Sequence, residues 1–77
     1  MWVKLFSRDG EDASYRFVDR VWGRSRVQAD YYARCWMRWG KAYWRMAEIE
    51  NRKGRAVMRF WLLGGPDGVL QVEEVSA

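Results

Sequence analysis

Catalysis draws on a small set of side chains, and this chain carries few of them. No histidine occurs among its 77 residues, so imidazole is excluded as base, nucleophile activator or metal ligand. The one cysteine, Cys35, stands between Arg34 and Trp36 with no base beside it, and reads as a small packed side chain rather than an activated thiolate. Carboxylates come in three close pairs: Glu11 with Asp12, Glu48 with Glu50, and Glu73 with Glu74. Such pairs can divide acid and base roles or hold a cation. Turn exposure and strand neighbours of arginine account for them more simply. A single thiol forms no internal disulfide, and without histidine the usual zinc ligand set is missing. Gly64-Gly65-Pro66-Asp67-Gly68 lacks the Lys-Ser/Thr ending and following helix of a phosphate loop and reads as a turn. The expectation is a non-enzyme with no catalytic residues, no cofactor and no metal.

Binding chemistry is better supplied. The chain has eleven Arg and three Lys against ten acidic residues, for a net charge of +4, and six Trp, four Tyr and three Phe. The charge is uneven. Met1 to Leu63 holds fourteen basic and seven acidic residues, or +7, while Gly64 to Ala77 holds three acidic and no basic ones, or −3. A basic body draws nucleic acid, acidic protein surfaces or anionic membranes, although a GC-rich genome also favours arginine over lysine without selection for binding. Two stretches carry the same alternation, Arg16, Val18, Arg20, Trp22 and Arg55, Val57, Arg59, Trp61, with Trp44 and Met46 between or beside them. Alternate residues of a strand share a face. Arg and Trp are also the side chains most enriched among those that dominate binding energy, at ~2 kcal/mol or more each when a partner buries them. The candidate partner-binding set is Arg16, Arg20, Trp22, Trp44, Arg59 and Trp61. A structural reading stands beside it: Trp44 and Trp61 as a cross-strand packing pair, with Glu48, Glu50 and Glu73 neutralising Arg55 and Arg59.

A short list of elements must position these residues. Ser25 to Gly40 carries a helix signal, with Ser25 and Gln28 as a capping box and Gly40 as a stop, which predicts a helix over about Arg26 to Trp39. Ala29, Tyr32, Ala33, Trp36 and Met37 fall on one face of it, the core face. Arg26, Asp30, Arg34 and Arg38 recur every four residues on the other, a solvated stripe in which Asp30 can pair with Arg34. Arg26, Arg34 and Arg38 form a secondary basic candidate. Trp2 to Ser7 and Tyr15 to Trp22 read as a hairpin around Asp9-Gly10. Tyr43 to Glu50 and Arg55 to Leu63 are joined by Asn51-Arg52-Lys53-Gly54, and Gly64 to Gly68 leads into Val69 to Val75. A four-residue loop at Asn51 to Gly54 sets Ile49 opposite Ala56, Ala47 opposite Met58 and Tyr43 opposite Leu62 on the apolar face. The other face then pairs Glu50 with Arg55 and Trp44 with Trp61. Leu70 and Val72 join the apolar face, and Glu73 meets Arg59. Phe17, Ala33, Trp36, Met58 and Phe60 are the expected interior.

The fold class that follows is α+β: one helix on one face of an antiparallel sheet of about five strands, in the order ββαβββ, forming a single domain over residues 1–77. The start, Met1-Trp2-Val3-Lys4, runs into charged residues, and no apolar stretch approaches the ~18 residues of a membrane span. Membrane association is therefore not expected, and the cytoplasm is the default location. Lys53 to Phe60 has a faint likeness to the RNA-recognition strand motif, but Arg55 and Met58 stand where that motif has stacking aromatics. In size and element order the whole chain resembles the small phage or mobile-element inhibitors of the anti-CRISPR type. The likeness lies in overall build and includes no motif to carry over residue by residue. The resemblance implies a cofactor-free protein that blocks a larger nucleic-acid machine by occupying one of its surfaces. A protein or ribonucleoprotein partner is the first reading, a direct binder of single-stranded nucleic acid the second, and a homodimer closing the open sheet face the third.

Overall fold

The computed structural model describes residues 1–40, 44–63 and 67–75. In chain order they form β1 (Trp2–Arg8), β2 (Arg16–Trp22), α1 (Arg26–Trp39), β3 (Trp44–Glu50), β4 (Ala56–Leu63) and β5 (Val69–Glu74). This is the expected ββαβββ order, with one helix against a five-stranded antiparallel sheet. The strands lie in the order β2-β1-β3-β4-β5. β1, first in the chain, is therefore flanked by its hairpin partner β2 and by β3, which returns to it after the helix.

Strict alternation makes β1 a strand. Val3, Leu5 and Ser7 are buried, while Trp2, Lys4, Phe6 and Arg8 point the other way. Val3, Leu5, Ala47, Ile49 and Phe60 from the sheet join Ala29, Ala33 and Met37 of α1 in one buried cluster, with Tyr32, Trp36, Met58, Leu62 and Leu70 packed around it. Ser25 caps the helix, its Oγ accepting from the Gln28 N–H at 3.2 Å. The Gln28 side chain reaches past Ser25 to accept from the Arg24 N–H at 2.7 Å, so the capping box closes one residue further out than expected. Gly40 ends the helix with φ −60°, and close packing rather than a left-handed turn requires glycine there. A Cβ at Gly40 would lie 2.6 Å from the Trp36 carbonyl oxygen and 2.6 Å from Arg45 Cδ.

Polar bonds hold α1 over β1 and β3. Arg45, opposite Ser7 on the helix side of β3, donates to the Met37 carbonyl from Nε at 3.0 Å and Nη2 at 2.7 Å, and to the Gly40 carbonyl from Nη1 at 2.9 Å. Helix-end carbonyls without an intrahelical partner are thereby satisfied. Trp36 Nε1 donates to the Met46 and Phe6 carbonyls at 3.1 and 3.3 Å.

Several expected pairings change. The β3–β4 loop has three residues, not four: the Asn51 N–H donates to the Arg55 carbonyl at 2.9 Å, and Gly54 takes φ +78°, the type I turn with a left-handed glycine that suits such hairpins. Arg55 thus faces Asn51 instead of Glu50. Val57 is then an extra residue between the Glu50↔Ala56 and Ile49↔Met58 pairs, and it packs against the core rather than the open face. Two one-residue shifts add to two. Ala47 meets Phe60 and Met46 meets Trp61, so the expected faces survive although the Trp44–Trp61 pair does not form. Arg59↔Glu73, Leu62↔Leu70 and Phe60↔Val72 place β5 as expected. The expected partner Tyr43, with Gly64, Gly65 and Pro66, lies outside the described residues.

In β2 a single shift stands alone. Leu5 pairs with Asp19 but Phe6 pairs with Phe17, leaving Val18 extra. The bulge turns Phe17 out of the core, where it is 55% exposed. The helix stripe differs too. Asp30 and Arg34 pair at 2.7 Å as expected, but the Arg34 guanidinium lies 5.6 Å from the Phe60 ring centre and Arg26 Nε donates to Met58 Sδ at 3.3 Å. The stripe flanks the core on the β4 side. Val27, Tyr31 and Trp39 are the large apolar side chains that α1 leaves exposed.

Overpacking a close contact costs ~1–3 kcal/mol. Gly40→Ala is expected to lower Tm by several degrees in calorimetry, whereas Gly10→Ala, with open space around its Cβ, should leave Tm nearly unchanged.

Candidate interaction surface

The face of the sheet turned away from α1 is built in rows, because directly paired residues of neighbouring strands project to the same side. The first row holds Trp22, Trp2 and Glu50, and the second Arg20, Lys4, Glu48, Arg59 and Glu73. The third holds Phe17, Phe6, Met46, Trp61 and Gln71, followed by Arg8 opposite Trp44. A charged row thus separates an aromatic corner from an apolar strip.

Charges on this face are largely engaged within it. Lys4 Nζ lies 3.2 Å from Glu50 Oε2, and Arg59 Nη2 lies 3.3 Å from Glu48 Oε2. Arg8 is held between rings, its guanidinium 4.7 Å from the centres of both Tyr15 and Trp44, with Nη1 donating to the Glu11 carbonyl at 2.8 Å. Arg20 stacks on Trp2 at 4.1 Å without a carboxylate partner among the described residues. Ring contacts complete the surface: Trp2 and Trp22 meet edge to face at 5.0 Å, and Phe6 and Phe17 at 6.1 Å. Such pairs add ~0.5–1.5 kcal/mol beyond burial.

Of the residues expected to bind a partner, Arg20, Trp22, Trp44, Arg59 and Trp61 share this face. Arg16 does not. The bulge at Val18 pairs it with Ser7, a core-side position, and its Nη2 sits 2.9 Å from Asp9 Oδ1. Arg59, between Glu48 and Glu73, follows the structural reading that its neighbours neutralise it. The outer residues of β1, Trp2, Lys4, Phe6 and Arg8, were missed as candidates although their alternation is plain. They matter because β1 lies inside the sheet, which a local pattern does not reveal. Phe17 was missed because only the bulge exposes it.

The helix stripe forms a separate surface. Arg34 and Arg38 border a shallow groove of about 350 Å³ with Met37, Leu62, Gly68 and Leu70. Arg34 is committed to Asp30, and the Arg38 guanidinium lies 4.9 Å from the Trp39 ring centre.

No protein-family model, curated protein or solved structure matches this chain. Its chemistry has to be read from its own geometry. Among the described residues no three His, Cys, Asp or Glu side chains gather as a metal site, and no helix is long and apolar enough to cross a membrane. The hydrogen bond of Tyr31 with Cys35 is the main cause that holds the Tyr31 phenol above its ordinary pKa, followed by the charge of the sulfur, burial and Tyr32. A raised value makes this phenol a poorer source of nucleophilic phenolate near neutral pH. Cys35→Ala should therefore bring the Tyr31 titration down toward its ordinary value, read from phenolate absorbance in alkaline solution. An unchanged titration would show that the sulfur has no hold on it.

Proposed function

We propose that this chain is a non-catalytic binding domain that docks on a protein or ribonucleoprotein partner through the open face of its sheet. The observation that carries this is the strip of Phe17, Phe6, Met46 and Trp61, which crosses four strands on the side without a helix. Five strands ~4.8 Å apart and seven or so residues long span roughly 20 by 23 Å. That is about 460 Å² in projection, an area that suits the smaller, transient class of protein interface, below ~600 Å² per partner. Beside the apolar strip, two cations are matched within the face, Lys4 with Glu50 and Arg59 with Glu48, which lowers the cost of covering it with a protein.

A phosphate backbone is a weaker match to this face, since Lys4, Arg8 and Arg59 are already held by carboxylates or rings. The anti-CRISPR-type inhibitor that the chain's build resembles is the specific form of this reading, with a cytoplasmic machine as target. Fold-level likeness supplies a direction rather than a target.

The test is recovery of partners from host extract on the tagged protein, with nuclease added before elution. Trp61→Ala and Trp22→Ala should each weaken binding by about 2 kcal/mol or more, with circular dichroism unchanged, and Arg20→Glu should do the same. Recovery that survives nuclease but is lost in the Trp61 and Trp22 variants supports the reading. Self-association of the pure protein in sedimentation, lost in the same variants, would put a second copy on the face instead. Normal recovery by all three variants would refute it.

A further inference from the structure

The cations without a carboxylate or carbonyl partner are not scattered. Lys4, Arg16, Arg34 and Arg59 face carboxylates, and Arg8 and Arg45 donate to carbonyl oxygens. Among the described residues, those whose side chains have neither are Arg20, Arg24, Arg26, Arg38, Arg52, Lys53 and Arg55. All of these except Arg38 belong to one end of the molecule. The register shows why: Trp2 pairs with both Trp22 and Glu50, so the exit of β2, the start of α1 and the β3–β4 turn converge there. Arg20, Arg24 and Arg26 come from the β2–α1 segment, and Arg52, Lys53 and Arg55 from the turn. Glu50 is occupied by Lys4, and the exposed carboxylates on this side are Glu73 and Glu74 at the β5 edge and Asp19 beside Arg20, three against the six cations. The other end holds the loop acids Asp9, Glu11, Asp12 and Asp67. Arginine-rich composition alone gives no such sorting.

We propose that this basic end binds the sugar-phosphate backbone of single-stranded nucleic acid, with Trp22 as the stacking platform for a base. Five of the six cations are arginines, whose planar fork matches phosphate oxygens two at a time. Trp22 is 50% exposed and is braced from one side by the edge-to-face contact with Trp2, which carries Arg20 on its ring. An unpaired base can stack on such a ring, whereas the bases of a duplex are already stacked on one another. An acidic peptide could meet the charges but has no use for the ring. This surface shares Trp22 and Arg20 with the open sheet face but not the apolar strip, so the Trp61 variant and the charge reversals, rather than Trp22→Ala, tell the two readings apart.

Fluorescence anisotropy with a labelled oligothymidylate of about twelve nucleotides, within the site sizes of small β domains, tests it. Affinity should fall with salt on a log–log plot, with a slope of about −0.7 for each phosphate neutralised. The doubles Arg24→Glu/Arg26→Glu and Arg52→Glu/Lys53→Glu should each weaken binding at least tenfold. Trp22→Ala should weaken it roughly tenfold and remove the quenching of tryptophan fluorescence. Trp61→Ala, on the apolar strip, should bind the oligonucleotide as the unaltered chain does. Absence of binding at ~0.15 M salt would overturn the proposal. So would equal binding to a duplex of the same length, to polyglutamate or to phosphatidylserine vesicles, or indifference to the charge reversals. Loss of oligonucleotide binding in Trp61→Ala would overturn the placement by moving the site to the sheet centre.

Discussion

A single helix has to serve as the whole second layer for five strands, and the rest of the structure depends on how it is seated. Ala29 and Ala33 on α1 and Ala47 beneath are fully buried, so the backbones approach closely where longer side chains would hold them apart. Gly23 lets the start of the helix come down: a Cβ there would lie 2.8 Å from the Ala29 nitrogen. At the far end Arg45 and Trp36 tie the helix to β3 and β1 by hydrogen bonds. Phe60 and Ile49 then fill the interior that the alanines leave. So placed, α1 packs on β1, β3 and β4, and among the described residues no second layer covers the opposite side of the sheet.

That uncovered side explains the arrangement of charge. On an exposed sheet face, ion pairs and ring contacts between neighbouring strands give long cationic side chains fixed partners. Lys4, Arg59 and Arg8 are each held in one of these ways. Cations freed from this duty collect where strands and helix meet in turns, and the positive end of the helix dipole points the same way. The molecule thus separates apolar area on the sheet from positive charge without carboxylate partners at one pole.

Much of this was legible in the sequence, for reasons that differ by element. The helix was fixed locally by Ser25, Gln28 and Gly40, and its ends fall where those residues put them. Face assignment in β3 and β4 came from period-two alternation, which is indifferent to a shift of two. The short turn and the bulge at Val57 therefore moved the partners without moving the faces. β2 had one bulge and no compensation, so Phe17 and Arg16 each landed opposite to expectation. Sheet order was not legible, since the β1–β3 pairing joins residues that no local pattern relates. The candidate site inherited that limit: Trp22, Trp44 and Trp61 were found, while Trp2 and Phe6 beside them were overlooked.

The position of β1 has a kinetic meaning as well. Its two neighbours arrive at very different times along the chain: β2 after a short loop, and β3 only after the helix has been passed, with Trp2 paired to Glu50. A β1–β2 hairpin alone is marginal in water, and one edge of β1 stays open until residues near 50 are present. Closing that long loop costs chain entropy before any core contact rewards it. Folding of this protein should accordingly be governed by the meeting of β1 and β3. The chain that waits for it exposes an unpaired strand bearing Trp2, Val3, Leu5 and Phe6, the segment most in danger of pairing with a neighbouring copy instead.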